Sequence, residues 1–388
     1  MSKSETTIAP PRRWPAARLA SRMGLIVGDL RLDGGIVAMF VVSRLLLVVA
    51  AVVAEAFISP NPNFTHAAGG PLIQSLASWD AGYYLGIATG GYHAQPVVGA
   101  YRDVAFAPLY PALVGVLSIP WAAYASVVAV LVSNVAFLFA LVLLARLGTP
   151  YLGRRRAALA AGFMAIYPFA SVFGMAYSES LFLLFVVAAF LAAETRHRAW
   201  AGVFLALAVL TRIQGLGLIL PLWILMLRQD EWRPRWSQGW LLLGPLALAG
   251  FVAYLAALTG SFTAIQDAQA AWRRTGIGSF SSDTTVAARF TPYQAALLVT
   301  LAWSVFLLVF VRVDRMRPEY WLVPVIFIAE VLASGTLESV GRYTMLAFPY
   351  MWILAKRRSL FARRTWPLVS AGLFTAIAVA TFTGYWVP

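Results

Sequence analysis

The strongest constraint on this chain is the stretch GGIVAMFVVSRLLLVVAAVVAEAF, residues 34–57, in which only Arg44 and Glu55 are charged. About 20 predominantly apolar residues suffice to cross the roughly 30 Å hydrocarbon core of a bilayer as a helix. Blocks of this character recur to the C-terminus. The 388-residue chain is 61% hydrophobic and 12% charged, with a mean hydropathy of +0.76, against about 25% charged residues in soluble domains. Lipid offers the backbone no hydrogen bonds, so the spans must be helical. The expected fold class is an all-α polytopic membrane protein. Its helices are expected near 34–57, 122–145, 157–174, 178–194, 199–211, 214–227, 238–259, 291–312, 319–334, 343–355 and 366–386, about 11 transmembrane helices in all.

The formal net charge of +14 invites a nucleic-acid reading, but its distribution argues for topology. If the spans alternate direction, 23 of the 30 basic residues fall on one side, six on the other, and Arg44 lies within the first span. Basic residues concentrate on cytoplasmic loops. The N-terminus is therefore expected in the cytoplasm, with residues 1–33 a basic tail, and no nucleic-acid partner is expected. The excess charge suits attraction to anionic membrane lipids. Residues 34–388 read as one membrane-embedded domain, with residues 58–121 its first outer loop. Segment 104–120 carries Pro108, Pro111 and Pro120, so a re-entrant or interfacial helix pair on the outer face is expected there. The first apolar run is too long for a cleaved leader and reads as a signal-anchor. The 199–211 and 214–227 helices are short for spans, and their TRIQG junction is expected to dip inward and line a cavity.

The sparsely charged outer side gathers the chemistry-bearing residues. Loop 58–103 holds Trp79, Asp80, Tyr83, Tyr84, His93, Arg102 and Asp103; the YSES turn holds Tyr177 and Glu179; TRIQG holds Arg212 and Gln214. Segment 259–275 adds Gln266, Asp267, Gln269, Trp272, Arg273 and Arg274, and SGTLESVGRY adds Glu338, Arg342 and Tyr343. Ionisable groups at membrane depth are costly and usually face a cavity or a partner. With no cysteine and only His66, His93 and His197, widely separated, neither a thiolate nor a histidine zinc site is available. Arginines grip phosphate in bidentate fashion, a carboxylate accepts a proton from a hydroxyl, and tyrosine and tryptophan stack on sugars. The set fits transfer from a lipid-linked phosphosugar, with Asp80 the base and a single displacement with inversion, because retention needs a second carboxylate close by. Local alternatives assign Asp80 to a helix N-cap or an ion pair with Arg102, Ser178 and Glu179 to capping, and Arg342 to an ion pair with Glu338. Arg44, Glu55 and Glu330 read as pairing within the bundle, and His93 as a surface histidine.

The segments WDAGYYLGIATGGY…VAFAPLYPALV, YPFASVFGMAYSESLFLLF, LALAVLTRIQGLGLILP, GSFTAIQDAQAAW and SVGRYTMLAFP occur in an order that resembles the PIG-V family. That family comprises GPI mannosyltransferase 2 and its prokaryotic relatives, of the GT-C superfold. The resemblance covers roughly residues 36–355. It implies a GT-C-type glycosyltransferase bundle that moves mannose in α-linkage from a polyprenyl (dolichyl-type) phosphate-mannose donor to a glycolipid or lipid-linked acceptor. It implies Asp80 as catalytic base, Arg212, Gln214, Arg342 and Tyr343 on donor phosphate or sugar, and Gln266 and Trp272 in the cleft. The donor's isoprenoid tail would lie between helices beside the 199–227 pair. The chain departs from the family pattern at Tyr83, commonly histidine, at His93-Ala94-Gln95 after the GY, and at Ala107 of AFAP. Short loops and the basic charge suggest a prokaryotic member in a bacterial or archaeal plasma membrane, with the site on the outer face. No cofactor is expected, a divalent ion held by Asp80 with Asp103 being the lesser alternative. The competing functions are a transporter or flippase for a lipid-linked or anionic substrate, for which inverted repeats are missing, and a non-catalytic scaffold.

Overall fold

The computed structural model describes residues 34–62, 70–97, 102–271, 292–313, 316–357 and 365–386. Among them are sixteen α-helices, short 3-10 turns and no strand. In chain order these are α1 (Gly34–Phe57), α2 (Pro71–Leu76), α3 (Ala81–Gly90), α4 (Leu109–Ser118), α5 (Ala125–Leu152) and α6 (Arg154–Ala165). Next come α7 (Glu179–Glu194), α8 (Arg198–Thr211), α9 (Ile219–Gln229), α10 (Leu243–Thr259) and α11 (Ala264–Ala271). The last five are α12 (Pro292–Val313), α13 (Pro318–Ser334), α14 (Val340–Met345), α15 (Pro349–Lys356) and α16 (Trp366–Phe382). Among the described residues, four helical stretches are long and apolar enough to cross a membrane: Gly34–Phe57, Leu109–Leu152, Trp236–Thr259 and Tyr293–Phe310.

The first of these illustrates how the chain packs. In α1 the buried residues Ser43, Leu47, Ala50, Ala51 and Ala54 recur at helical spacing, and this face meets α16 and α6. The opposite face leaves Val41, Leu45, Val48, Val49 and Val52 exposed. Lipid tails are as apolar as these side chains, so helix association rests on close packing, which the small alanines permit. In the centre, α5 packs on α6 and α7, α7 on α8, and α8 on α10. α7 is 16 residues long, about 24 Å at 1.5 Å per residue.

That helix separates two polar regions. Glu179 begins it, and Glu194 ends it. At the Glu194 end, Tyr151 and Tyr320 donate their hydroxyls to the Glu194 carboxylate, and Arg317 Nη1 reaches Tyr151 at 3.0 Å. Arg228 pairs with Glu319 at 2.8 Å and Arg198 with Asp230 at 2.6 Å at the same end.

Every apolar segment named from the sequence contains helix, yet several are interrupted. Segment 157–174 is not one span: α6 stops at Ala165, before Pro168, and a 3-10 turn covers Ala170–Gly174. A residue preceding proline disfavours the α region. Segment 343–355 also divides, into α14 and α15, with Pro349 at the first position of the second piece. Segment 104–120 forms one helix, α4, rather than a pair. It leads through a turn in which Trp121 is non-helical (φ −139°, ψ 51°) into α5. Arg44 meets Asn134 at 2.8 Å instead of a carboxylate, because α5 offers an amide there. Glu55 is exposed, and Glu330 Oε2 is buried without a hydrogen-bond partner among the described residues.

Candidate functional site

The site begins at Trp79, a non-glycine residue with φ +58°. Such left-handed backbone is uncommon for a bulky residue and persists where its surroundings hold it. Here the indole Nε1 donates to Thr381 O at the end of α16 (2.9 Å), and the next amide, Asp80 N–H, donates to Tyr177 Oη (3.1 Å). The backbone is thus anchored on both sides of the carboxylate. Asp80 occupies the N-cap of α3, but its side chain makes no cap bond. Its Oδ2 instead accepts from Arg342 Nη1 at 2.6 Å.

Arg342 is supplied by α14 from 262 residues away. Neighbouring Gly341 is necessary because a Cβ there would fall 2.4 Å from the Phe169 ring. Arg342 Nη1 also lies 3.5 Å from Glu179 Oε1, and that oxygen accepts from Arg212 Nη1 at 2.7 Å. Glu179 is fully buried, whereas the Asp80 side chain keeps 27% of its surface open. Two carboxylates and two guanidiniums therefore alternate as Asp80–Arg342–Glu179–Arg212. The rings of Tyr177 and Tyr343 lie under Arg342 and Arg212, at 5.7 and 5.8 Å, which adds cation–π attraction.

The buried hydroxyls complete this cluster. Ser178 makes no N-cap bond. Its Oγ is shared between Tyr84 Oη (2.7 Å) and Arg212 Nη1 (3.3 Å). Arg342 Nη2 donates to Ser339 Oγ at 3.2 Å. Among the described residues, Arg212 Nε, Arg342 Nε and Glu179 Oε2 are buried without hydrogen-bond partners. Buried donors normally find an acceptor, so the two Nε–H groups are unmet capacity for an anion.

Arg212 owes its place to the break between α8 and the following 3-10 turn, Ile213–Leu218, at which it adopts extended backbone (φ −154°, ψ 128°). Gly215 allows the turn to fold back on α8, since a Cβ there would lie 2.9 Å from Val209 N. The TRIQG junction does line a cavity. That cavity is about 310 Å3, with walls that include Trp79, Asp80, Tyr84, Phe106, Ala107, Arg212, Gln214, Gln269, Glu338, Ser339 and Arg342.

Of the residues named from the sequence, Trp79, Asp80, Tyr84, Arg212, Gln214, Gln269, Glu338 and Arg342 line this cavity, and Tyr177 and Glu179 support it from behind. Tyr343 is behind the wall too, its hydroxyl accepting from Gln214 Nε2 at 2.7 Å. Tyr83 is stacked on Phe106 with centroids 4.9 Å apart. Arg102 is not at the cavity; it donates to Ala94 O at 2.6 Å. Asp103 is buried, and its Oδ2 accepts from both His93 N–H (3.0 Å) and His93 Nδ1 (2.8 Å). The local alternatives, Asp80–Arg102 and Arg342–Glu338, give way to Asp80–Arg342. Asp80 and Asp103 have separate partners, and among the described residues no three of His, Cys, Asp and Glu converge as metal ligands.

Gln266 is exposed, and Gln269 takes its place at the cavity. Helical phase explains the exchange. Ala264, Ile265 and Ala268 are the buried face of α11, and Gln269 follows Ile265 by four residues on that side. Ser178 and Ser339, overlooked as site residues, each stand immediately beside a named carboxylate. Trp272, Arg273 and Arg274 lie outside the described residues.

A second, apolar cavity of about 730 Å3 is formed by α3, α4, α8 and α10, with Ile87, Pro111, Val116, Leu210, Phe251 and Tyr254 among its walls. It adjoins the polar one along the chain: Ala107 and Thr211 line the polar cavity, and Pro108 and Leu210, their neighbours, line the apolar one.

Residues 36–225 match the family model described as Mannosyltransferase (PIG-V). That stretch, a little under half of the chain, is similar to the PIG-V mannosyltransferase family. The matched stretch contains Asp80, Glu179, Arg212 and Gln214, and it ends before Gln266, Arg342 and Tyr343. No curated protein matches the chain. Among solved structures it is similar to the Archaeoglobus fulgidus oligosaccharyltransferase tethered with an acceptor peptide containing the NVT sequon (14% identity, 89% of this chain, 56% of that one, TM-score 0.46). It is likewise similar to the apo form of that protein (14%, 89% and 56%, TM-score 0.45). A third similar structure is the A. fulgidus protein in complex with an inhibitory peptide and a dolichol-phosphate (13%, 89% and 56%, TM-score 0.43). The chain spans little more than half the length of these neighbours.

Proposed function

We propose that this protein is an inverting α-mannosyltransferase that uses a polyprenyl phosphate-mannose donor and a glycolipid or lipid-linked acceptor, with Asp80 as the base. The observation that carries this reading is the Asp80 carboxylate, partly open on the wall of a 310 Å3 polar cavity and held 2.6 Å from Arg342. The donor phosphate takes the unmet Nε–H donors of Arg212 and Arg342, which draws Arg342 toward phosphate and frees Asp80 Oδ2. The acceptor oxygen then bonds to the anomeric carbon as the bond from that carbon to the phosphate oxygen breaks. The hydroxyl proton passes to Asp80, and the polyprenyl phosphate leaves in the grip of the arginines. Glu179 is closed off behind both arginines, so it serves as their counter-charge and no nucleophile for a retaining path is available from it.

The apolar cavity is the proposed path for the first isoprenoid units of the donor. It uses the end of α8, as the sequence suggests, but its other walls are α3, α4 and α10 rather than α9. Two further features support a site on the outer face of a chain that crosses the membrane about 11 times as one domain. The site lies at the Glu179 end of α7, and Arg196, Arg198, Arg228 and Arg317 gather at the other end, as the positive-inside rule requires of the cytoplasmic side. No cofactor enters this scheme.

Purified protein incubated with radiolabelled polyprenyl phosphate-mannose and a membrane lipid extract tests the reading. Asp80→Asn is expected to lower transfer by about 10²–10⁴-fold, the usual contribution of a positioned base, while donor binding persists. Equal transfer by both proteins would sink the assignment of Asp80.

A further inference from the structure

A second polar cavity, about 290 Å3, lies at the opposite end of α7 and α8 from the site described above. Its walls are Arg196, Arg198, Gln229, Asp230, Glu231, Arg233 and Arg235. Four guanidiniums therefore face two carboxylates. One of these is consumed internally. Asp230 is buried at the end of α9, where Oδ1 pairs with Arg198 Nη2 (2.6 Å), Arg235 Nε (3.4 Å) and Arg196 Nη1 (3.8 Å), and Oδ2 accepts from Gln238 Nε2 (3.0 Å). Burial alone would raise this carboxyl, but the hydrogen bonds from Arg198 and Gln238 and the neighbouring charges outweigh it and hold the group below its usual range. Asp230 is thus an anionic centre that gathers three arginines while leaving the cavity positive. Arg233 is exposed, and its guanidinium has no partner among the described residues.

The surrounding backbone is built to hold this arrangement. Arg196 (φ +64°), Glu231 (φ +56°) and Trp232 (φ +66°) are three of the four non-glycine residues in left-handed conformation among the described residues. Arg196 Nη2 ties the α7–α8 turn to Gln229 O at 2.9 Å. Around the cavity Trp200, Trp232, Trp236 and Trp240 are exposed. Tryptophans collect at the level of lipid headgroups, where one part of the ring is wet and the rest is apolar.

We propose that this arginine cavity binds the phosphodiester of an anionic phospholipid headgroup, independently of the glycosyl-transfer site. Arg233 and Arg235 grip the phosphate oxygens, Arg198 stays with Asp230, and the tryptophans hold this end of the bundle at headgroup depth. Arginine suits this role because its planar fork matches phosphate oxygens.

The test compares wild-type protein with Arg233→Ala and with the Arg233→Ala Arg235→Ala double variant. Each is reconstituted in bilayers of equal phosphatidylcholine and phosphatidylglycerol, and retained lipid is counted by native mass spectrometry. Unfolding midpoints are followed during titration with phosphatidylglycerol or inorganic phosphate. Wild type is expected to retain phosphatidylglycerol selectively and to gain thermal stability from it, and the double variant to bind it at least about tenfold more weakly. Arg233→Ala removes a side chain with no described contact, so it leaves the fold intact and is expected to weaken retention in the same direction even if the double variant unfolds. Equal retention by wild type and Arg233→Ala would overturn the proposal. A stabilisation by inorganic phosphate as large as that by the lipid would overturn the lipid as occupant.

Discussion

Two arginines largely removed from water need counter-charge, and the chain supplies it with Glu179 beneath both and Asp80 at the cavity wall. The two carboxylates differ in exposure, and this separates their roles. Replacing a member of a buried ion pair leaves the other uncompensated, at about 3–5 kcal/mol. Glu179→Gln takes from Arg212 the carboxylate it pairs with, so its thermal unfolding in detergent is expected to show a loss of that order. Asp80→Asn removes a carboxylate that water reaches, and it is expected to unfold near the wild-type temperature while losing transfer. Identical melting of Glu179→Gln and wild type would mean that the arginines find compensation elsewhere. This pairing was beyond sequence reading for a definite reason. Spacing along the chain suggests local partners, Arg102 for Asp80 and Glu338 for Arg342, whereas the observed pair bridges 262 residues. The residue types and the outer-side grouping were legible, because ionisable groups in an apolar chain announce themselves. Their partners depend on how α3, α7, α8 and α14 converge.

At the scale of elements, the apolar blocks marked the helices, but prolines did not mark the breaks, since Pro150 and Pro324 lie inside continuous helices. The breaks at Pro168 and Pro349 were hidden by unbroken hydrophobicity on both sides, which a buried turn shares with a helix. The TRIQG break was legible from the shortness of its flanking helices, and it is the one on which the site depends. Here the 3-10 turn passes so near α8 that Gly215 has no room for a side chain: a Cβ would meet the backbone of Ala208 and Val209 at 3.1 and 2.9 Å. Backbone atoms do not yield as a flexible side chain does, so Gly215→Ala must open the turn and carry Arg212 with it. A displacement of about 1 Å at a positioning group lowers turnover by about 100-fold. Turnover of Gly215→Ala is expected to fall by about that factor, beside Gly239→Ala, where a Cβ meets nothing within 4 Å and activity should be kept. Unchanged turnover in Gly215→Ala would show that Arg212 tolerates movement of its turn.

For the molecule as a whole, the proposed function would require the site to hold a charged phosphosugar and a water-insoluble tail at once, and two adjoining cavities of opposite character are present. The polar one ends at Ala107 and Thr211, and the apolar one begins at Pro108 and Leu210. If the tail occupies the apolar cavity, filling it should weaken donors in proportion to their chain length and leave the chemistry alone. Gly250 of α10 is suited to this, because it lines the cavity and a Cβ there meets nothing within 4 Å. A Gly250→Trp side chain enters the cavity without disturbing the backbone. Each buried CH2 contributes about 0.8 kcal/mol, so exclusion of even one isoprenoid unit is expected to raise KM for a long-chain donor by more than tenfold. KM for a water-soluble donor with a truncated tail, and kcat for both donors, should stay within about twofold of wild type, by the rule that loss of uniform binding raises KM alone. Kinetics with the two donors therefore separate the outcomes. A rise in KM confined to the long-chain donor places the tail between α4 and α10. An equal rise for both would show that the tryptophan reaches the polar cavity, and no rise for either would send the tail to another face of the bundle.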